Sequence, residues 1–165
     1  MKSDIIVIGA GAAGLMAAYS AAKTLVEAGS DASVVVLEKM PRPARKIMIT
    51  GKGRCNFTNM KEWNEFSAHI RSKSNFVKSA FYAFTPENVR DFFEAHGMHT
   101  VVERADRAYP ASSRASEVVD TLVNACNGYG VKIVCDAPVK EVARKDGEFL
   151  LTLEDGTLIP LRGLL

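Results

Sequence analysis

Apolar positions change their spacing several times along this chain, and each change predicts an element. Residues 4–8 (Asp4-Ile5-Ile6-Val7-Ile8) run apolar and β-branched without alternation, which predicts a parallel strand buried on both faces. From about Ala12 to Ala28 the period becomes helical, with Leu15, Ala18, Ala22 and Leu25 on one side and Gly29 placed to end the helix. Ser33 to Leu37 returns to an unbroken apolar run and predicts a second strand. Further on, Thr85-Pro86-Glu87 is a helix start, with Val89, Phe92 and Phe93 on one face and Gly97 at the stop. A helix is expected from about Ala115 to Asn127, then a buried strand over Val131–Val134. Three alternating segments follow, Val139–Arg144, Phe149–Glu154 and Thr157–Leu161. Lys145-Asp146-Gly147 and Asp155-Gly156 act as turns between them, so the three predict an antiparallel meander. Helical segments alternating with parallel-type strands place the chain in the α/β class.

Glycine enters the picture at the first strand-to-helix junction, where Gly9, Gly11 and Gly14 form a GxGxxG pattern. Gly9 permits the sharp turn, Gly11 lets a pyrophosphate approach the backbone, and Gly14 lets the helix pack close to the strand. The helix N-terminus then presents amides and a partial positive charge to the diphosphate. Glu38 stands at the tip of the second strand, where a carboxylate accepts hydrogen bonds from ribose hydroxyls and repels a 2′-phosphate. Strand, glycines, helix and acid together predict a Rossmann-like dinucleotide fold that disfavours NADP.

Charge adds a second feature. From Lys39 to Lys61 there are seven Lys or Arg residues and no Asp or Glu, which leaves the rest of a +2 chain at −5. Thr50-Gly51-Lys52-Gly53 contributes backbone amides and a hydroxyl, while Arg45, Lys46, Lys52 and Arg54 contribute cations. This composition suits an anion. The plainer reading is a solvated cationic surface, but a nucleic-acid face would want stacking aromatics and the loop holds only Phe57. A nicotinamide domain has no need of such a segment, whereas a flavin domain must reach further along its cofactor.

The segment Arg45-Lys46-Ile47-Met48-Ile49-Thr50-Gly51-Lys52-Gly53-Arg54-Cys55-Asn56-Phe57-Thr58-Asn59 resembles the signature of a bacterial flavoprotein family, the aminoacetone-oxidase-like NAD(P)/FAD-dependent enzymes. Arg107-Ala108-Tyr109-Pro110-Ala111-Ser112 and Ala115-Ser116-Glu117-Val118 resemble its later block. The resemblance spans essentially the whole of the 165 residues. It implies a glutathione-reductase-type FAD fold with Gly9, Gly11, Ala12, Ala13 and Gly14 at the pyrophosphate and Glu38 at the ribose. Lys39, Arg45, Lys46, Thr50, Gly51 and Asn56 would lie along the rest of the cofactor, and Val139 would touch the adenine. Two residues depart from the pattern: Ala44 and Lys52 stand where members often carry Gly.

The implied function is the FAD-binding portion of a flavin-dependent oxidoreductase, with NAD(P)H as an expected electron donor to the parent. Members continue with a further strand, a second FAD-contacting glycine motif and a substrate-side domain. The chain therefore reads as a truncated N-terminal portion, inactive alone, with a new strand starting at Gly163-Leu164-Leu165 and an open sheet edge that invites self-association. The competing readings are an NAD-binding dehydrogenase domain and a non-catalytic nucleotide-binding fragment. A flavin-dependent RNA-modifying protein shares this N-terminal fold and ranks below them.

No general acid or base stands out, so no catalytic residue is assigned. Cys55, Cys126 and Cys135 form no close pair and read as core or cofactor-side thiols; three free thiols fit a reducing cytoplasm. His69, His96 and His99 show no metal spacing. Trp63, Phe66, Phe76, Phe81, Tyr82 and Phe84 make an aromatic-rich region that reads as core before substrate wall. No apolar stretch is long enough to cross a membrane, and the early rigid strand is unlike a signal peptide. The expected partner is a small-molecule substrate, with neither nucleic acid nor membrane.

Overall fold

A computed structural model describes residues 3–145 and 148–164. In chain order the elements are β1 (Ser3–Ile8), α1 (Ala12–Glu27), β2 (Val34–Leu37), α2 (Arg45–Met48), β3 (Thr58–Asn59), α3 (Trp63–Ser67), α4 (Asn75–Ala83) and α5 (Pro86–Ala95). They continue with β4 (Thr100–Glu103), β5 (Arg107–Pro110), α6 (Ala115–Gly128), β6 (Lys132–Val134), β7 (Val139–Lys145), β8 (Glu148–Leu153) and β9 (Leu158–Leu164). The chain divides into two compact units, Met1–Ile47 with Leu122–Leu165, and Met48–Thr121.

The first unit carries a six-stranded sheet in the order β6-β2-β1-β9-β8-β7. β1 lies parallel to β2 with Ile5 opposite Val34 and Ile8 opposite Leu37, and β2 lies parallel to β6. All four residues of β2 are buried, which is why its sequence shows no alternation. The β7–β8 and β8–β9 pairs are antiparallel and form the expected meander. The turn expected at Lys145-Asp146-Gly147 lies partly outside the described residues. Ile6, Val35, Leu37, Leu151, Leu153, Ile159 and Leu161 build one core cluster from both the parallel and the meander strands.

The chain end differs from the sequence expectation. Gly163 and Leu164 do not open a new strand; they continue β9, with Ser3 opposite Leu161, Ile5 opposite Gly163 and Ile6 opposite Leu164. One strand thus has an antiparallel partner, β8, on one side and a parallel partner, β1, on the other. Its Leu158–Leu161 segment already belongs to the meander, so hydrophobicity alone places a boundary where the backbone has none. The strand taken to be cut short is therefore flanked on both sides, and the edges of this sheet are β6 and β7.

The second unit holds a three-stranded antiparallel sheet, β3-β5-β4, with α5 beside it. Thr85 caps α5: its side chain accepts the Asn88 amide, and Asn88 answers with its own side chain on the Thr85 N–H at 3.0 Å. Pro86 occupies the first turn and Gly97, at φ +84°, follows the stop. Phe92 and Phe93 are buried, and the Phe93 ring packs on Phe57 at 4.8 Å. The aromatic region divides. Trp63 is buried and meets Phe81 at 5.3 Å, but Phe76 is 85% exposed and α4 buries no residue. α6 crosses the boundary between the two units and buries Ala115, Val118, Val119, Leu122, Ala125 and Cys126 at helical spacing.

Candidate dinucleotide site

The turn from β1 into α1 shows why glycine is needed at two of its positions. Gly9 sits at φ +97°, a conformation L side chains rarely adopt, and donates its N–H to the Leu37 carbonyl at 2.7 Å. Gly14 faces the same turn so closely that a Cβ there would lie 1.9 Å from the Gly9 carbonyl oxygen. Helix and strand can approach this closely only without that atom. Gly11 is different: a Cβ there meets nothing within 4 Å, so the protein's own packing does not demand glycine.

Gly11 is also the N-cap of α1. No side chain caps this end, and the first turn holds no acidic residue. Gly11, Ala12 and Ala13 are exposed, and their small size leaves the amides approachable. An uncapped helix start of this kind suits a diphosphate.

Glu38 extends from the end of β2 back over the turn. Its Oε2 accepts the Ala10 N–H at 2.8 Å and its Oε1 accepts the Met40 N–H at 2.9 Å. Each carboxylate oxygen has a further acceptor position, so the carboxylate is held in place and can still receive ribose hydroxyls. The backbone around it is also tied down: Glu38 N–H donates to Val134, and Ala137 N–H donates to the Glu38 carbonyl.

A cavity of about 430 Å³ opens beside these tips, lined by Ile8, Gly9, Leu37, Glu38, Lys39, Ala137, Pro138, Val139 and Glu154. Its size is within the range of small-molecule sites. Four residues singled out from the sequence meet here: Gly9, Glu38, Lys39 and Val139. Ile8, Leu37, Ala137, Pro138 and Glu154 were not singled out. The first two end strands whose burial was legible. Ala137 and Pro138 form a crossing with no motif of its own.

The basic loop begins in the first unit. Ala44 is buried at φ +53° and donates its N–H to the Ala10 carbonyl at 2.8 Å, which ties the loop's start to the glycine turn. Its left-handed backbone explains why Gly is common here in the family that the loop resembles. Arg45 and Lys46 follow on α2, exposed.

Thr50, Gly51 and Asn56 belong to the second unit. Gly51, Lys52, Gly53 and Cys55 all have positive φ, so Lys52 and Cys55 hold a conformation that favours glycine. The Asn56 side chain donates to Thr58 at 2.7 Å and to Ala108 at 2.9 Å, locking the loop to β5. Arg54 pairs with Glu103 and lies 4.3 Å over the Tyr109 ring, so this cation is engaged within its own unit.

The thiols are free, and burial raises the pKa of each. Cys55 is buried, and its thiol is partly offset by the Thr50 hydrogen bond. Cys126 is fully buried, donates to the Leu15 carbonyl at 3.3 Å and is pushed up to about 11. Among the described residues no three His, Cys, Asp or Glu side chains are grouped to hold a metal, and no helix is long and apolar enough to cross a membrane.

A mostly parallel sheet with a glycine turn, an open helix start and a carboxylate at the tip of the second strand defines a Rossmann domain, the fold found in flavin-dependent oxidoreductases. The chain belongs to the HI0933-like protein Rossmann domain family, whose model matches residues 3–164. It is 33% identical over 157 residues to the ribosomal RNA dihydrouridine synthase of Escherichia coli K12, covering 95% of this chain and 37% of that protein. It is 30% identical over 154 residues to the 3-dehydro-bile acid delta(4,6)-reductase of Clostridium scindens, covering 93% and 36%. Among solved structures, a flavin monooxygenase from Stenotrophomonas maltophilia aligns with a TM-score of 0.52 at 17% identity, covering 99% of this chain and 38% of the other. The chain spans a little over a third of the length of these two curated relatives.

Proposed function

We propose that this chain is the FAD-binding portion of a flavin-dependent oxidoreductase that saturates an electron-poor ring double bond in a small molecule. The observation that carries the cofactor reading is the pairing of an uncapped α1 start with a Gly14 whose added Cβ would collide with the Gly9 carbonyl. The residues present fit an adenine dinucleotide: Gly9 to Gly14 at the diphosphate, Glu38 at the ribose, and the Val139 wall at the base. Lys39, Arg45, Lys46, Thr50, Gly51 and Asn56 are the residues we assign along the remainder. FAD, when bound, supplies hydride or electron transfer through flavin N5, and the protein supplies binding and orientation.

Within the family, the Arg45–Asn59 loop allies the chain with aminoacetone-oxidase-like members, and three free thiols fit a cytoplasmic protein. The direction of chemistry follows from two relatives, one named for making dihydrouridine and one for reducing a delta(4,6) bile acid. The reaction is proposed for the whole protein, since this chain spans a little over a third of the length of the two relatives. Anaerobic addition of NADPH or NADH to that protein should bleach the flavin's visible band, and a conjugated cyclic enone should restore it. Failure of every reduced nicotinamide to bleach bound flavin would remove the reductase reading.

A second reading has ribosomal RNA as the substrate, favoured by the 33% identity to the Escherichia coli enzyme. Deletion of the gene followed by measurement of dihydrouridine in ribosomal RNA separates the two: loss of the modified base supports RNA, and unchanged RNA supports the small molecule.

A further inference from the structure

The cavity beside Glu38 has a second acidic residue in its wall, Glu154, that the dinucleotide motif does not account for. Glu154 follows the last residue of β8 and is one of the residues that line this cavity. Its position is fixed by backbone pairing: Leu153 is opposite Val139, and the Glu154 N–H donates to the Pro138 carbonyl at 3.0 Å. Pro138 and Val139 therefore fix Glu154 beside them on the cavity wall, which in the dinucleotide reading is the base end, with Gly9 and Glu38 toward the ribose and diphosphate. Among the described residues the Glu154 side chain has no ion pair and no hydrogen-bond partner. Asp155 beside it is already engaged, its carboxylate accepting the Thr157 N–H at 2.8 Å.

We infer that Glu154 sets the base specificity of this site by accepting a hydrogen bond from the exocyclic amine of adenine. The inference rests on the dinucleotide reading above. An ionised carboxylate is an acceptor only, so it matches the amine of adenine. Hypoxanthine and guanine place a carbonyl oxygen at that ring position, and two acceptors repel. Ala137, Pro138 and Val139 supply apolar surface for the flat ring but cannot distinguish one purine from another. A charged acceptor at the edge supplies the missing discrimination through repulsion as well as attraction.

Calorimetric titration of the chain with ADP and with IDP, for the parent sequence, Glu154→Gln and Glu154→Ala, tests this. Glu154 is exposed, so both variants should keep the parent's thermal midpoint. The parent should bind ADP about tenfold or more tightly than IDP, the ratio that one charge-assisted hydrogen bond gives. Both variants should bring the two nucleotides to within about threefold, because glutamine can turn either its donor or its acceptor to the base and alanine offers neither. An unchanged ADP-to-IDP ratio in the variants overturns the inference while leaving the dinucleotide reading standing. A parent chain that binds neither ADP nor FAD overturns both.

Discussion

Gly11 and Gly14 lie three residues apart in one motif, yet the structure predicts opposite consequences for adding a methyl group to each. At Gly14 the new Cβ would lie 1.9 Å from the Gly9 carbonyl oxygen, about 1.5 Å inside ordinary contact. The atom it meets is backbone, and the Gly9 N–H is already committed to Leu37, so neither side can yield without breaking the turn. Overpacking of this kind costs about 1–3 kcal/mol and often more when backbone must move. At Gly11 the Cβ meets nothing, and the residue's φ of −79° and ψ of −178° suit alanine. Loss of a good N-cap residue and the stiffer unfolded chain act in opposite directions, so the net change should stay below about 1 kcal/mol. The two variants should then separate folding from binding. Urea denaturation should show Gly14→Ala clearly destabilised and Gly11→Ala close to the parent. Titration with FAD should show Gly11→Ala weakened by about tenfold or more, roughly 1.4 kcal/mol, because the methyl occupies the diphosphate's approach. A Gly11→Ala chain that binds FAD as tightly as the parent would refute the reasoning, since no phosphate could then be close to that backbone.

Four other substitutions follow from the packing. Leu151→Ala opens a cavity at a fully buried position of the shared core and should cost about 2–5 kcal/mol by chemical denaturation. Thr85→Ala removes the cap of α5 and should cost about 1 kcal/mol, with faster amide exchange confined to the first turn of that helix. Ala44→Gly relieves a left-handed alanine and should stabilise by up to about 1 kcal/mol despite the added freedom of the unfolded chain. The Cys126 thiol has an ordinary value of 9.0 and a folded value of about 11, so the folded state holds its proton more tightly. Its stability contribution is complete below pH 9 and is lost as pH rises through about 11. Cys126→Ala should flatten that part of the stability curve, and a slope unchanged by the substitution would contradict the burial argument.

Local grammar made the first βαβ portion legible. β1, the glycine turn, α1 and β2 each follow from contiguous residues, and Thr85-Pro86 announced α5 in the same way. The β3-β5-β4 sheet gave no such signal. Val101 and Val102 of β4 are both exposed, so the strand lacks alternation. The turn to β5 uses Ala105 and Asp106 at positive φ where a hairpin would usually advertise glycine or asparagine. β9 was misread at its end because one strand serves two partners of opposite direction, and periodicity does not record a partner. At the candidate site, Gly9, Gly14 and Glu38 were readable because the dinucleotide pattern names their residue types, and Gly9 and Glu38 line one cavity. Glu154 was not, because it reaches the cavity through the Val139–Leu153 pairing, a contact between residues distant along the chain.

The most direct test is the visible spectrum of the purified chain, followed by heat release and chromatographic identification of the pigment. Bound FAD, or FAD taken up on addition in preference to FMN and NAD, is the predicted result, because only FAD joins an adenosine end to a flavin. A chain that stays colourless with added FAD yet binds NAD would contradict the account and make this a nicotinamide domain.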